Sequence, residues 1–211
     1  MSFEYIEVWV SGTMPLLMSK FSVEAEANLP GGSGSGTRKT TTSGVKLTPR
    51  EQAEKLCYRE NEKPNAPLIL PGPAFQRLIR EAGSNHKDKG SRKSLKYKVP
   101  TAVLVLDEMV PLYDESRRER LTNYEVFSVS VVNAFTKGRV MCHRPRLEKW
   151  TARFRVRINQ DLMDPKLIRQ LLKEGGEQIG VGAFRPEKGG TFGLFDIVAW
   201  DCMDGRTSKA A

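Results

Sequence analysis

Histidine is nearly missing from this chain: His86 and His143 are the only two among 211 residues. Neither falls in an HxxxH or HExxH pattern, and no close pair of acidic residues accompanies them, so the spacing that builds a metal site or a nucleophile triad is absent. No cofactor or metal is expected. Cysteine is also sparse: Cys57, Cys142 and Cys202 are odd in number, far apart and lack a CxxC pair. That pattern argues against a disulfide framework and a structural zinc, and for a reducing cytoplasm. No apolar run approaches the roughly 20 residues that span a bilayer. The opening stretch, MSFEYIEVWV, carries acids where a secretory signal needs bases, so neither membrane insertion nor export is expected. Internal repeats are lacking as well. Acidic residues are the remaining shortage: 25 against 34 Lys and Arg, a formal charge of +9. Such an excess points to a polyanionic partner, nucleic acid ahead of an acidic membrane surface.

What is present is concentrated between Trp150 and Trp200. In WTARFRVRI, Ala152, Phe154, Val156 and Ile158 alternate with Thr151, Arg153, Arg155 and Arg157. Strict period-two alternation predicts a half-buried strand whose polar face carries three arginines about 6.5–7 Å apart. Asp164 and Pro165 then make a helix start, a side-chain acceptor followed by a residue without an N–H. Ile168, Leu171, Leu172, Gly175 and Ile179 lie on one face of the helix that follows, with Gly180 as its left-handed terminator. Next comes GVGAFRPEKGGTFGLFDIVAW, where Gly180, Gly182, Gly189, Gly190 and Gly193 enclose Arg185 and Lys188. Glycines let a backbone approach a phosphate closely and expose its N–H groups; equally, they shape a tight turn before a buried strand. No Gly-Lys-Ser/Thr follows, and a strand rather than a helix comes next, so this is neither a Walker loop nor a dinucleotide fingerprint. Apolar residues on both faces of Phe192–Trp200 predict a central strand.

This order of strand, helix, glycine-rich loop and strand resembles the RAMP superfamily of CRISPR-associated RNA-binding proteins, on the residues Gly180, Gly182, Arg185, Gly189, Gly190 and Gly193 and the strand from Leu194. The resemblance implies a ferredoxin-like (RRM-like) α+β fold with an antiparallel sheet, two helices and the glycine-rich loop before the last strand. It covers the last quarter of the chain by motif and the rest by element order.

Residues 1–21 and 67–201 read as that core. Ile6, Val8 and Val10 take one face of a first strand; Phe3, Tyr5 and Trp9 share the other with Glu7. For Tyr5 and Trp9 two readings stay open: base stacking on an open sheet face, or packing under the inserted segments. Residues 22–66 form a thumb-like insertion, flexible through LPGGSGSGTRKTTTSG, with one short helix after the capping signal Thr48-Pro49-Glu51. Phe75, Leu78, Ile79 and Ala82 predict the first core helix. The stretch 84–98 is a basic loop in which Lys93 and Lys96 flank Tyr97, an arrangement suited to a single-stranded backbone and a stacked base. Val99–Val110 reads as one strand, Phe127–Val132 as another, with Lys137-Gly138 as a hairpin turn. His143, Arg144 and Arg146 cluster before the arginine-faced strand, and residues 202–211 read as a disordered tail.

The leading expectation is a subunit that coats single-stranded nucleic acid, RNA ahead of DNA. The resemblance makes it the backbone type that polymerises along guide RNA with copies of itself and other effector subunits. Arg153, Arg155, Arg157, the glycine loop with Arg185 and Lys188, the basic loop, and His143 with Arg144 and Arg146 would hold the strand. A phage or plasmid protein that coats single-stranded DNA is the alternative binder. A metal-independent endoribonuclease using His143 as general base or acid is the alternative enzyme, and a virion or other assembly protein the alternative without nucleic acid.

Overall fold

The alternating segment at the start of the chain forms β1 (Phe3–Gly12), and the arginine-bearing one forms β8 (Thr151–Asn159), in the computed structural model. The structure describes residues 2–20, 47–63, 65–88, 90–132 and 138–203. Residues 22–46 of the insertion expected at 22–66, its LPGGSGSGTRKTTTSG stretch included, Lys137 of the hairpin turn and residues 204–211 of the tail therefore lie outside the described residues. β1 and β8 pair antiparallel along their length, Trp9 opposite Arg153, Glu7 opposite Arg155 and Tyr5 opposite Arg157. Directly opposed residues share a face. One face thus collects aromatics, Glu7 and three arginines, while the other collects Ile6, Val8, Val10, Phe154, Val156 and Ile158, all buried.

The main sheet is completed by β3 (Ile69–Pro71), β4 (Val103–Val105), β5 (Met109–Tyr113) and β9 (Phe195–Cys202). Its order is β3-β5-β8-β1-β9, with β4 also paired to β8 and every pairing antiparallel. Among the described residues four helices accompany it: α1 (Pro49–Lys55), α2 (Gly72–Ala82), the single turn α3 (Val99–Ala102) and α4 (Pro165–Gln178). Taken as β1, α2, β4/β5, β8, α4, β9, this is the ferredoxin-like α+β fold. The first strand lies between the third and the fourth, and both long helices lie on the apolar face. The start of α4 follows the sequence closely: the Asp164 side chain accepts from the Lys166 N–H, and Ile168, Leu171 and Leu172 are buried. Gly175 lets α4 touch α2, since a Cβ there would come within 2.3 Å of Leu78. Phe75 stacks on Phe154 at 4.4 Å between centroids, with Phe195 and Trp150 extending the aromatic core. Burying each such side chain contributes about 1.5–3 kcal/mol.

Two expectations are corrected. Val99–Val110 is not one strand: Pro100 sits in the single turn α3, and the pairing with β8 is interrupted at Asp107. There the Asp107 carboxylate, rather than a backbone carbonyl, accepts the Arg155 N–H at 2.6 Å. Nor is the last strand central, since β9 ends the sheet. Ile197 and Trp200 pack on the core, and an irregularity between Trp9 and Val10 gives β9 an extra residue, leaving Val198 46% exposed. That extra residue shifts the alternation, which is why both faces look apolar in sequence.

The hairpin is a separate unit. β6 (Glu125–Val132) and β7 (Arg139–Leu147) join β2 (Leu16–Leu17) in a second, three-stranded sheet ordered β2-β7-β6. Through β2 it abuts the glycine-rich loop, where the Ala183 N–H donates to Leu17 O at 2.8 Å.

Candidate nucleic-acid interface

The segment between α4 and β9 is built by glycine. Gly180, Gly182, Gly189 and Gly193 all have positive φ, and Phe184 joins them at +49°. At Gly193 a Cβ would lie 1.8 Å from Val181 O, an overlap no side chain tolerates. The loop is also closed on itself: the N–H groups of Gly180, Gly189 and Gly190 donate to Gly175 O, Pro186 O and Arg185 O. Those three amides are occupied within the loop, so any anion there meets side chains first. Arg185 is likewise held, its guanidinium donating to Gly182 O at 2.9 Å and to Glu187 at 2.8 Å. Burial pushes the Glu187 carboxyl up, but Arg185 and Arg77 outweigh it and keep it below the usual range.

Beside the loop is a cleft of about 340 Å³, lined on one side by Gly182, Phe184, Arg185 and Lys188 and on the other by Tyr58, Pro71 and Ala74. Arg144 reaches into it from β7, its guanidinium 4.9 Å from the centre of the Phe184 ring. The Arg144 Nε is buried and lacks a hydrogen-bond partner among the described residues. Pro71 is the N-cap residue of α2 and Ala74 lies in its first turn; no side chain caps this end, and the Gly72 N–H donates to Glu108 O at 2.8 Å. Helix starts carry a partial positive charge that favours anions. Three cationic side chains and a helix N-terminus therefore converge here, over apolar and aromatic walls.

The other residues singled out in the sequence lie elsewhere. His143 is adjacent to Arg144 in the chain, but alternation along β7 sends the two to opposite faces, and His143 Nδ1 is hydrogen-bonded to Ser128 Oγ at 2.7 Å. Arg146 is ion-paired with Glu148 and Glu125. On the main sheet, Arg153 pairs with Glu7, Arg155 with Asp107, and Arg157 lies 4.9 Å above the Phe3 ring. Hydrogen bonding from Arg153 is the chief reason the Glu7 carboxyl titrates below its ordinary range. In the basic loop, Lys96 binds Glu81 at 2.7 Å and Tyr97 is 76% exposed, with Lys93 nearby in the chain. His86 Nε2 meets Glu174 of α4 at 2.6 Å, tying that loop to the core. The sequence-marked cations are thus divided among the cleft, the open sheet face, the hairpin and the basic loop. Phe184 lies within the glycine-rich segment but is not singled out there, whereas Tyr58 and the start of α2 are brought to the cleft by the fold alone. Among the described residues no cluster of His, Cys, Asp and Glu could hold a metal ion, and no helix is long and apolar enough to cross a membrane.

No protein-family model matches the chain, and no curated protein matches it in sequence. Solved structures do match in shape. A chain in the cryo-EM structure of the Type III-B Cmr-beta bound to cognate target RNA is 11% identical, with a TM-score of 0.54 over 96% of this chain. This chain spans 61% of the length of that one. Cmr6 from Pyrococcus furiosus is 10% identical, with 93% of this chain and 99% of that one aligned at a TM-score of 0.39. Both neighbours are RAMP-type CRISPR subunits. The ferredoxin-like fold of this chain is the one it shares with the Cmr-beta chain.

Proposed function

We propose that the protein is an RNA-binding subunit of a CRISPR ribonucleoprotein and holds single-stranded RNA by its backbone in the cleft between the glycine-rich loop, β7 and α2. The observation that carries this reading is the meeting of Arg144, Arg185 and Lys188 with the N-terminal end of α2, which no side chain caps, in one cleft. Cations and a helix N-terminus complement phosphates without reading sequence, as a coating subunit requires. The fold shared with the Cmr-beta chain supports the assignment, because that structure was solved with target RNA. The finer reading is a repeating subunit that packs against copies of itself and other effector subunits along a guide RNA. In that arrangement the mass of the complex grows in steps with RNA length.

The test is binding of a thirty-nucleotide single-stranded RNA to Arg144→Ala and Lys188→Ala. Each substitution is expected to weaken binding by about 1–3 kcal/mol, as for a lost charged hydrogen bond. The melting temperature of Lys188→Ala should be unchanged, since its side chain is exposed. Wild-type affinity in both variants contradicts the cleft.

A further inference from the structure

The edge of the main sheet that runs beside α4 is open. β9 ends the sheet, so the N–H and C=O groups along its outer side face no strand among the described residues. At eight residues it exceeds the usual strand of about 5–6, and Val198 is among its exposed residues. Between this edge and α4 runs a groove of about 730 Å³. Its walls are Lys166, Arg169, Lys173 and Glu177 of the helix and Asp196 and Ile197 of the strand. The groove shares no lining residue with the cleft.

Lys166, Arg169 and Lys173 are exposed and stand at i, i+3 and i+7, a single stripe of the helix. Ile168, Leu171 and Leu172 are buried on its other side, so core packing holds the stripe at the groove. Lys166 and Arg169 have no carboxylate partner among the described residues. Lys173 meets Glu177 at 3.7 Å, with both side chains exposed, and such a pair contributes little. The far side of the edge has the opposite sign. Asp201 lies across from Glu7 on β1, and directly opposed residues share a face, here the open one away from α4.

A strand edge offers donors and acceptors in turn, and an extended polypeptide matches both, with pockets for its alternate side chains. The phosphates of a nucleic acid only accept. A second copy of this chain is a poor occupant, because joining two β9 edges in one sheet sets basic stripe beside basic stripe. We propose that β9 and α4 form a docking edge for an extended acidic segment of a partner protein. The segment adds to the sheet as a strand beside β9 and turns alternate carboxylates toward Arg169 and Lys173. The spacing suits it: Arg169 and Lys173 are about 6 Å apart along the helix axis, and alternate side chains of a strand about 6.5–7 Å apart. This docking does not depend on RNA in the cleft.

Three synthetic peptides of the length of β9 test it: one alternating glutamate with threonine, one alternating lysine with threonine, and the first methylated on two consecutive central amides. The methyl groups strip a donor from each edge of the peptide without touching its charge. The wild-type protein should bind the glutamate peptide roughly tenfold or more tightly than the lysine one, since like charges oppose where unlike ones attract. Methylation should weaken binding by roughly tenfold, as for ladder hydrogen bonds lost. The bound glutamate peptide should also slow hydrogen exchange of β9 amides. Arg169→Glu should abolish the preference with no loss in melting temperature, because the new carboxylate pairs with Lys173 at i, i+4. Equal affinity for the glutamate and lysine peptides, or no binding of either, overturns the docking edge. Undiminished binding of the methylated peptide reduces the contact to charge alone and overturns strand addition. If Arg169→Glu instead weakens binding of a thirty-nucleotide single-stranded RNA, the stripe is a nucleic-acid contact and the proposal fails. Self-association that Arg169→Glu abolishes makes a second copy the occupant, and the proposal fails likewise.

Discussion

Cys57 is buried against Met18, its Sγ 3.9 Å from the Met18 sulfur, and burial pushes its thiol up to about 12. The thiolate is the reactive form, so Cys57 should resist thiol reagents at pH 8 in the native protein, whereas the exposed Cys202 reacts. Mass spectrometry after brief alkylation checks this, and modification of Cys57 at the rate of Cys202 would contradict its burial. Glu54 makes the other residue-scale prediction. Its carboxylate accepts from Arg59, the largest influence, against the opposing effect of burial, and Tyr124 donates a further bond at 2.7 Å. The net result is a carboxyl held below its usual range in the folded state. A lowered folded pKa contributes stability that is present above about pH 4.5 and is lost as pH falls through the lowered value. Glu54→Gln should therefore melt lower at neutral pH, with the gap to wild type narrowing below pH 4. Unfolding curves across that range decide the matter; a gap constant with pH removes the ion pair from the account.

At the scale of elements, the glycine-rich loop makes a contrast within one segment. Gly193→Ala forces a Cβ to 1.8 Å from Val181 O at φ +75°, so the loop must open and stability should fall by several kcal/mol. Gly189 has φ +74° with nothing within 4 Å of the same Cβ. Its replacement by Ala carries only the left-handed penalty of about 1–2 kcal/mol, and RNA binding should persist. Thermal melts of the two variants test this, and equal losses would contradict the loop geometry. Elements of this kind differ in how far the sequence announces them. The periodic ones, β1, β8, α2 and α4, were legible because a single buried face imposes its repeat on the residues. The Asp164-Pro165 start was legible because capping chemistry is local. The break at Asp107 was not, since it depends on a bond to Arg155, 48 residues away. Clustering of His143 with Arg144 looked meaningful along the chain and dissolves once β7 alternates. The cleft was half legible: Arg185, Lys188 and Arg144 are marked by type, but Tyr58 and the start of α2 reach it through tertiary packing alone.

On the scale of the whole molecule, the formal charge of +9 is not spread over one surface. Many arginines are locked in pairs: Arg59 with Glu54, Arg153 with Glu7, Arg155 with Asp107. The pairs of Arg153 and Arg155, whose guanidiniums are exposed, contribute little stability, about 0–1 kcal/mol each, but all three pairs remove cations from the pool available to a polyanion. Lys188 and Arg144 remain in the cleft without a carboxylate partner among the described residues. Binding should then be electrostatic but local, with a countable number of phosphates neutralised. The most direct measurement is the affinity for a thirty-nucleotide single-stranded RNA as a function of salt, for wild type and Lys188→Ala. The wild-type affinity should fall roughly sevenfold or more between about 50 and 200 mM salt, and Lys188→Ala should flatten the slope of log K against log salt by about 0.7, the share of one phosphate. A slope near zero, or one that Lys188→Ala leaves unaltered, contradicts RNA binding in the cleft.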